Sequence, residues 1–291
     1  MTTATVALSG KTHRDENFPV ASRLMDARHR DPILAFYRFA RAADDVADHP
    51  TLSPDRKLAA LDALGQALCG DARREPDAEP LRLALRERGL SPRHALDLLA
   101  AFRIDVHKRR YADWAELMDY CRLSAAPVGR FVLDVHGERE ALWPASDALC
   151  AALQVINHLQ DCGADYRRLD RVYLPQDVLA AHGAAIEALG AARASPALRG
   201  VIAELARRAG ELTREGAALL PQIDDFRLAL EIGAIESLAR RQARELERRD
   251  PLSERVRLGK ATFLWVGGLG ALRRLPARLA RAGRTQPQAA A

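Results

Sequence analysis

Repeatedly along this chain a capping side chain stands directly before a proline, as at Asp31-Pro32, Ser53-Pro54, Ser91-Pro92 and Ser195-Pro196. A Ser or Asp side chain satisfies free amides at a helix start. Proline fits the first helical position because its missing N–H has no helical partner there. Each pair therefore predicts the start of a helix. Glycines at 70, 89, 137, 190 and 283 give the matching stop signals. Between these points Ala, Leu, Arg and Glu dominate, and no run of Val, Ile or Thr alternates with period two. The pattern predicts an all-α fold with helices near 19–28, 31–48, 54–69, 78–89, 92–108, 113–136, 146–166, 177–188, 197–218, 222–249 and 253–281. Pro127 lies inside 113–136 and predicts a kink. No composition break, long linker or fixed-period repeat divides the 291 residues. A single domain over 1–291 is expected, with 1–12 and 284–291 flexible.

Composition narrows the partners. The formal charge is +5, and of 44 basic residues only four are Lys, at 11, 57, 108 and 260. The arginines are interleaved with 39 acidic residues rather than collected into a stripe, which argues against nucleic acid. The apolar run Phe263 to Leu272 is far shorter than the ~20 residues of a membrane span. No apolar leader stands at the N-terminus and the four cysteines (69, 121, 150, 162) form no CxxC pair. Reduced thiols and a cytoplasmic protein are the expectation.

Two stretches carry chemistry. In Arg41-Ala-Ala-Asp44-Asp45-Val-Ala-Asp48, Asp44 and Asp48 lie one helical turn apart on one face, with Arg41 a turn before them. In Gln154 to Asp165, Asn157, Asp161 and Asp165 fall at i, i+4 and i+8, with Gln154 just above. Like charges at this spacing destabilise a helix by ~0.2–0.5 kcal/mol per pair. Two such ladders inside largely apolar helices call for a counter-cation. All the ligand atoms are hard oxygens and no His joins either stripe, which selects Mg²⁺, with Mn²⁺ or Ca²⁺ as alternatives, over zinc. Mg²⁺ binds few carboxylates and completes its shell with water and phosphate, so facing ladders would hold a diphosphate. The plainer reading, acids paired with Arg on a solvated face, suffices for one ladder but fits two poorly. His158 is one residue off the stripe, and His94, His107, His136 and His182 have no partner at metal spacing.

RAADDVAD (Arg41 to Asp48), YCRLSAAPVG (Tyr120 to Gly129) and QVINHLQDCGADYRRLDRVYLP (Gln154 to Pro175) resemble the squalene/phytoene synthase family, in the expected order over roughly residues 15–270. The resemblance implies an isoprenoid-synthase-type helical bundle around a central cavity, with two aspartate motifs facing each other across its mouth. Asp44 and Asp48 would form the first Mg²⁺ motif, with Asp45 turned aside. Asn157, Asp161 and Asp165 would form the second. Arg41 would clamp the diphosphate and Gln154 would line the cavity. Phe18 and Tyr37 fall where the family places aromatics near the reacting carbons, though plain core packing explains them nearly as well. Tyr120, Ala125, Val128 and Gly129 would leave room for an isoprenoid chain. Arg171 and Tyr173 would close over the diphosphate, unless Arg171 is a surface residue.

ENFPVASRL (Glu16 to Leu24), the PVGR after Tyr120 and NHLQDCGADY are most similar to the branch that converts presqualene diphosphate to hydroxysqualene by water capture of a carbocation, with no NADPH. Condensing relatives often carry Arg immediately before the first Asp of the second motif. Here that position is Gln160, one cation fewer, which fits a substrate with one diphosphate. The alternatives are a head-to-head prenyl transferase, making presqualene diphosphate or phytoene, and a non-catalytic helical scaffold. Residues 253–281, with Arg273, Arg274, Arg278 and Arg281 edging an apolar run, suggest a peripheral contact with anionic lipid at the inner membrane face. An ordinary outer helix is the plainer expectation.

Overall fold

The computed structural model describes residues 26–70 and 75–257. Phe18 and most of the C-terminal segment therefore lie outside the described residues. Those described form ten α-helices, three short 3-10 turns and no strand. No helix among them is long and apolar enough to cross a membrane.

The helices are α1 Ala27–Ala47, α2 Pro54–Cys69, α3 Glu79–Arg88, α4 Arg93–His107, α5 Trp114–Ser124, α6 Ala126–Val135, α7 Trp143–Leu169, α8 Gln176–Ala181, α9 Pro196–Gly216 and α10 Phe226–Leu246. Local chemistry sets most of their ends. Ser53, Asp113, Ser195 and Asp225 accept hydrogen bonds from amides of the first turns of α2, α5, α9 and α10. Gly70 closes α2 at φ 96°, a left-handed value that a Cβ disfavours.

Three expectations are corrected. Asp31-Pro32 does not open a helix, because α1 starts at Ala27 under an Asp26 cap and runs through Pro32. Proline cannot donate to the carbonyl four residues back. The guanidinium of Arg88 hydrogen-bonds that carbonyl, Arg28 O, so the helix continues. The kinked helix expected over 113–136 is instead two helices, separated at Ala125 two residues before Pro127. Residues 253–257, expected to begin the last helix, are turn and irregular chain.

Two large clusters of buried side chains organise the bundle. One is built by α1 to α4 with α6 and includes Phe36, Phe39, Leu61, Leu81, Leu99 and Phe131. The other surrounds α7 and includes Val155, Ile156, Leu159, Val201, Leu205 and Leu246. Each such side chain contributes about 1.5–3 kcal/mol by leaving water. Helix α9 packs closely on α7. A Cβ added at Gly216 would lie 2.7 Å from Leu149 Cβ. The first aspartate motif belongs to a helix of one cluster and the second to the central helix of the other, so both lie at the seam.

Candidate active site at the seam of two helical cores

On α1 the exposure pattern is a stripe. Tyr37, Arg41, Asp44, Asp45 and Asp48 are half-buried, while Phe36, Phe39, Ala43, Val46 and Ala47 beside them are buried. Arg41 is the hub of the motif. Its Nη1 donates to Asp44 Oδ2 at 2.7 Å and its Nη2 to Asp45 Oδ1 at 3.0 Å. Asp45 thus takes up the guanidinium's second arm, consistent with its turning away from the Asp44–Asp48 face. Burial first, and the charge of Asp48 second, push the Asp44 carboxyl up to about 7, against the opposing pull of Arg41. Asp44 nevertheless keeps a third of its side chain accessible (33%). A group both crowded and accessible lines a recess rather than an outer face.

On α7 the stripe recurs. Gln154, Asn157, Asp161 and Asp165 are half-buried between the buried Val155, Ile156, His158, Leu159 and Cys162. Asp165 is also pushed up to about 7, by burial and then by Asp161, with Asp48 of α1 a further contributor. The two motifs therefore feel each other's charge across the seam. Neither lies on an outer flank of its own core.

The chain after α7 reaches back between them. Asp170 takes a left-handed φ of 50°, a conformation Asp tolerates better than most residues, and turns the backbone sharply. Val172 N then bonds to Arg109 O at 2.9 Å and holds the strand-like loop in place. Arg171 is thereby buried, at 4% exposure, and is not a surface residue. Its Nη1 donates to Asp48 Oδ1 at 3.0 Å and its Nη2 to the backbone carbonyl of Asp105 at 3.0 Å.

Asp105, on α4, was not singled out from the sequence. It accepts from Tyr120 OH at 2.7 Å and from Tyr173 OH at 3.2 Å. Burial raises its carboxyl to about 6, while Arg171 and the two hydroxyls resist. The ring of His158 stacks on Tyr173 with centroids 3.5 Å apart, and burial followed by the charge of Arg171 drives that imidazole down to about 3, so it is neutral. The signal for Asp105 was present: a lone carboxylate between Ile104 and Val106 on an apolar face requires partners.

Gln160 is tied within the core around α7, donating to Gln242 Oε1 at 2.9 Å and Val256 O at 2.8 Å. The residue immediately after that anchor supplies a cation. Arg257 Nη2 donates to Asp161 Oδ1 at 3.0 Å and Oδ2 at 3.2 Å. The expectation of one cation fewer at the second motif is thus corrected, since a guanidinium arrives from 96 positions away. Ala125 is buried and Val128 is 43% exposed. Gly129 is not open space. An added Cβ there would meet Ser146 Oγ at 2.4 Å and Cys150 Sγ at 2.6 Å, so the residue serves the contact of α6 with α7.

The donor set is all oxygen. The carboxyls of Asp44 and Asp165 are held high by burial and by the charge of neighbouring acids even with Arg41 and Arg171 nearby, and such crowding of hard oxygens fits Mg²⁺ or Mn²⁺. Two carboxylate stripes of an all-α bundle, with Arg41 and Arg171 beside them, have the chemistry of a site for a divalent cation and an anionic group. The family model described as squalene/phytoene synthase matches residues 11–262, and the chain belongs to that family. It is 57% identical to hydroxysqualene synthase of Rhodopseudomonas palustris, over 94% of this chain and 93% of the relative. It is 54% identical to hydroxysqualene synthase of Sinorhizobium fredii, over 96% of both. Among solved structures, squalene synthase HpnC from Alicyclobacillus acidocaldarius superposes with a TM-score of 0.70 at 33% identity, covering 78% of this chain and 86% of that one.

Proposed function

We infer that the chain converts presqualene diphosphate and water to hydroxysqualene and diphosphate. The observation that carries the assignment is the mutual placement of Asp48 and Asp165 across the seam, with Arg171 between the first motif and Asp105. The identity of 49–57% to three hydroxysqualene synthases, against 32% to a phytoene synthase of Thermus thermophilus, favours this reaction over head-to-head condensation. A scaffold without catalysis would have no use for two charge-crowded stripes that cost stability.

Asp44, Asp48, Asn157, Asp161 and Asp165 are the residues that would hold Mg²⁺, or Mn²⁺ in its place. When bound, the cation supplies neutralisation of the negative charge on a leaving diphosphate. Arg41 and Arg171 are placed to add their own positive charge to the same group, fixed in advance by Asp45 and Asp105. As the carbon–oxygen bond to diphosphate breaks, a cyclopropylcarbinyl cation is left on carbon. The π face of Tyr37, on the half-buried stripe one turn before Arg41, is suited to stabilise it. That cation rearranges with opening of the three-membered ring; water then forms the new carbon–oxygen bond at the rearranged cation and gives up a proton to solvent, which leaves an alcohol. No hydride enters, so no NADPH is required. Tyr120 and Tyr173 act by holding Asp105, and through it Arg171. Segment 253–281 is proposed to rest on anionic lipid, which liposome flotation with and without anionic lipid decides.

The test is incubation of the purified full chain with Mg²⁺ and either presqualene diphosphate or farnesyl diphosphate, with mass spectrometry of the extracted lipid. Hydroxysqualene from the first substrate is expected. Turnover of farnesyl diphosphate without turnover of presqualene diphosphate would reject the assignment in favour of a condensing enzyme.

A further inference from the structure

Away from the aspartate motifs, three elements distant in sequence bring two imidazoles and a carboxylate together. His29 lies in the first turn of α1, His136 caps the end of α6, and Asp225 caps the start of α10. One ligand-type atom from each lies within 4.8 Å of the other two. No local spacing marks the group, because the partners of His136 stand on either side of it, about a hundred residues off.

We propose that His29, His136 and Asp225 form a site for one transition-metal ion of the zinc class, separate from the diphosphate site. Two observations beyond proximity point to a cation. First, His136 Nδ1 lies 2.8 Å from Val132 O. A carbonyl only accepts, so Nδ1 carries the proton and Nε2 presents its lone pair. This is how metal-bound histidines are oriented, the second ring nitrogen donating to a backbone carbonyl. Second, that Nε2 is buried without a hydrogen-bond partner, on a side chain with no exposure, and faces Asp225 Oδ2 at 4.0 Å. A lone pair opposed to a carboxylate oxygen repels it unless something positive stands between.

The other groups leave those atoms available. Asp225 uses Oδ1 to cap Arg227 N and Leu228 N, which keeps Oδ2 for the histidine side. Glu138 accepts from the amides of Asp224 and Asp225, clamping the turn after His136 to the start of α10. His29 is 7% exposed, its ring centroid is 4.1 Å from that of His136, and its buried Nδ1 has no partner. Its Nε2 lies 3.1 Å from Arg28 Nε. Ligation through Nδ1 moves the ring proton to Nε2 and turns Arg28 away into water, where most of that side chain already is. Burial and the neighbouring His136, Arg28 and Arg88 hold the His29 imidazole below its ordinary value, in the neutral form a metal needs. Two imidazoles and a carboxylate select Zn²⁺, or Co²⁺ as its spectroscopic substitute, over Mg²⁺. Asp225 keeps 18% of its side chain exposed, so water can reach the fourth position. The ion would brace the start of α1, the helix that carries the first aspartate motif, against α6 and α10.

The test uses the metal-stripped full chain carrying D44A and D161A, which disables the aspartate motifs as a competing site. Titration with Zn²⁺ against a chelator, and with Co²⁺ followed by its visible absorption, should show one equivalent and a tetrahedral spectrum. Zn²⁺ should also raise the melting temperature of this background. Adding H29Q or D225N should weaken binding by more than about tenfold, since even loss of an outer orienting group costs that much. Asn still caps a helix, so D225N tests the carboxylate without removing the cap. The proposal is overturned if the D44A/D161A chain binds no Zn²⁺, or if D225N and H29Q bind as tightly as their parent. It is equally overturned if the His136 ring resonances titrate with pH and do not respond to saturating Zn²⁺, which would leave a proton as the only cation there.

Discussion

On α1, Asp44 and Asp45 pair with Arg41, three and four residues before them on the same helix. On α7, Asp161 pairs with Arg257, which reaches it from beyond the end of α10. The pairing of Arg41 with Asp44 and Asp45 is made within one helix, and Asp48 looks outward, to Arg171. The second motif is complete only when the chain has folded past α10. A helix-encoded charge cluster forms as soon as its helix does, whereas a tertiary one depends on the bundle around it. The comparison predicts that the two motifs are equal in chemistry but unequal in how they fail.

Equality is tested most severely by D44N and D161N made separately. Each should lower kcat by about a thousandfold, the scale on which a preorganised group at a charged transition state acts. Far-ultraviolet circular dichroism should be unchanged. If one variant kept turnover near the parent rate, its motif would be structural and the pairing of the two would be wrong. The next largest effect is expected at the bridge. R171Q removes the guanidinium that joins Asp48 to the Asp105 carbonyl and leaves the buried Asp105 with two phenols alone. Breaking a buried pair of this kind costs about 3 kcal/mol, a fall in Tm of roughly 5–10 °C for a chain of this size. R171K keeps the charge but not the planar fork. It should recover most of the stability while kcat stays low, and full recovery of both would show that charge alone matters.

The third effect separates the motifs. R257Q should raise KM by about tenfold, the worth of one hydrogen bond to a charged group. It should lower stability by under about 1 kcal/mol, because both partners are partly exposed. R41Q, which releases two carboxylates at once, should cost more in both measures. Equal effects of R257Q and R41Q would erase the distinction between a locally and a distantly assembled motif.

The same distinction governs what could be read from the amino acids. Helices α2, α3, α4, α9 and the first motif follow from caps, prolines and turn spacing within a few residues. The start of α1 has no such local signal, because the carbonyl of Arg28 that Pro32 leaves free is taken by Arg88, 60 positions after Arg28. Arg257 carries no local mark, being one arginine among forty. Asp105 did carry one, its isolation between Ile104 and Val106, but an isolated acid names no partner, and Tyr120 and Tyr173 were read as groups facing the substrate. Gly129, expected to leave room for a chain, instead has the space of its missing side chain filled by Ser146 and Cys150. In each case the unread part is a contact between elements far apart in sequence.

The smallest effect bears on the charge the motifs share. Asp44 and Asp165 both stand near 7 in the folded chain, above the 3.8 of a free Asp. A carboxyl raised on folding binds its proton more tightly in the native state. Metal-free stability should therefore fall as pH rises from about 4 to about 7, and then level off. A divalent cation favours the ionised form and opposes that fall. The gain in Tm on adding Mg²⁺ should thus be larger at about pH 8 than at about pH 5, by about 2–4 °C. D44N and D165N should each remove part of the pH dependence, one from each side of the seam. An Mg²⁺ gain equal at both pH values would mean that the cation does not bind where the two carboxyls are crowded. A pH dependence abolished by D44N but untouched by D165N would mean that α1 holds the charge alone, and that the second motif contributes its oxygens without sharing the electrostatic cost.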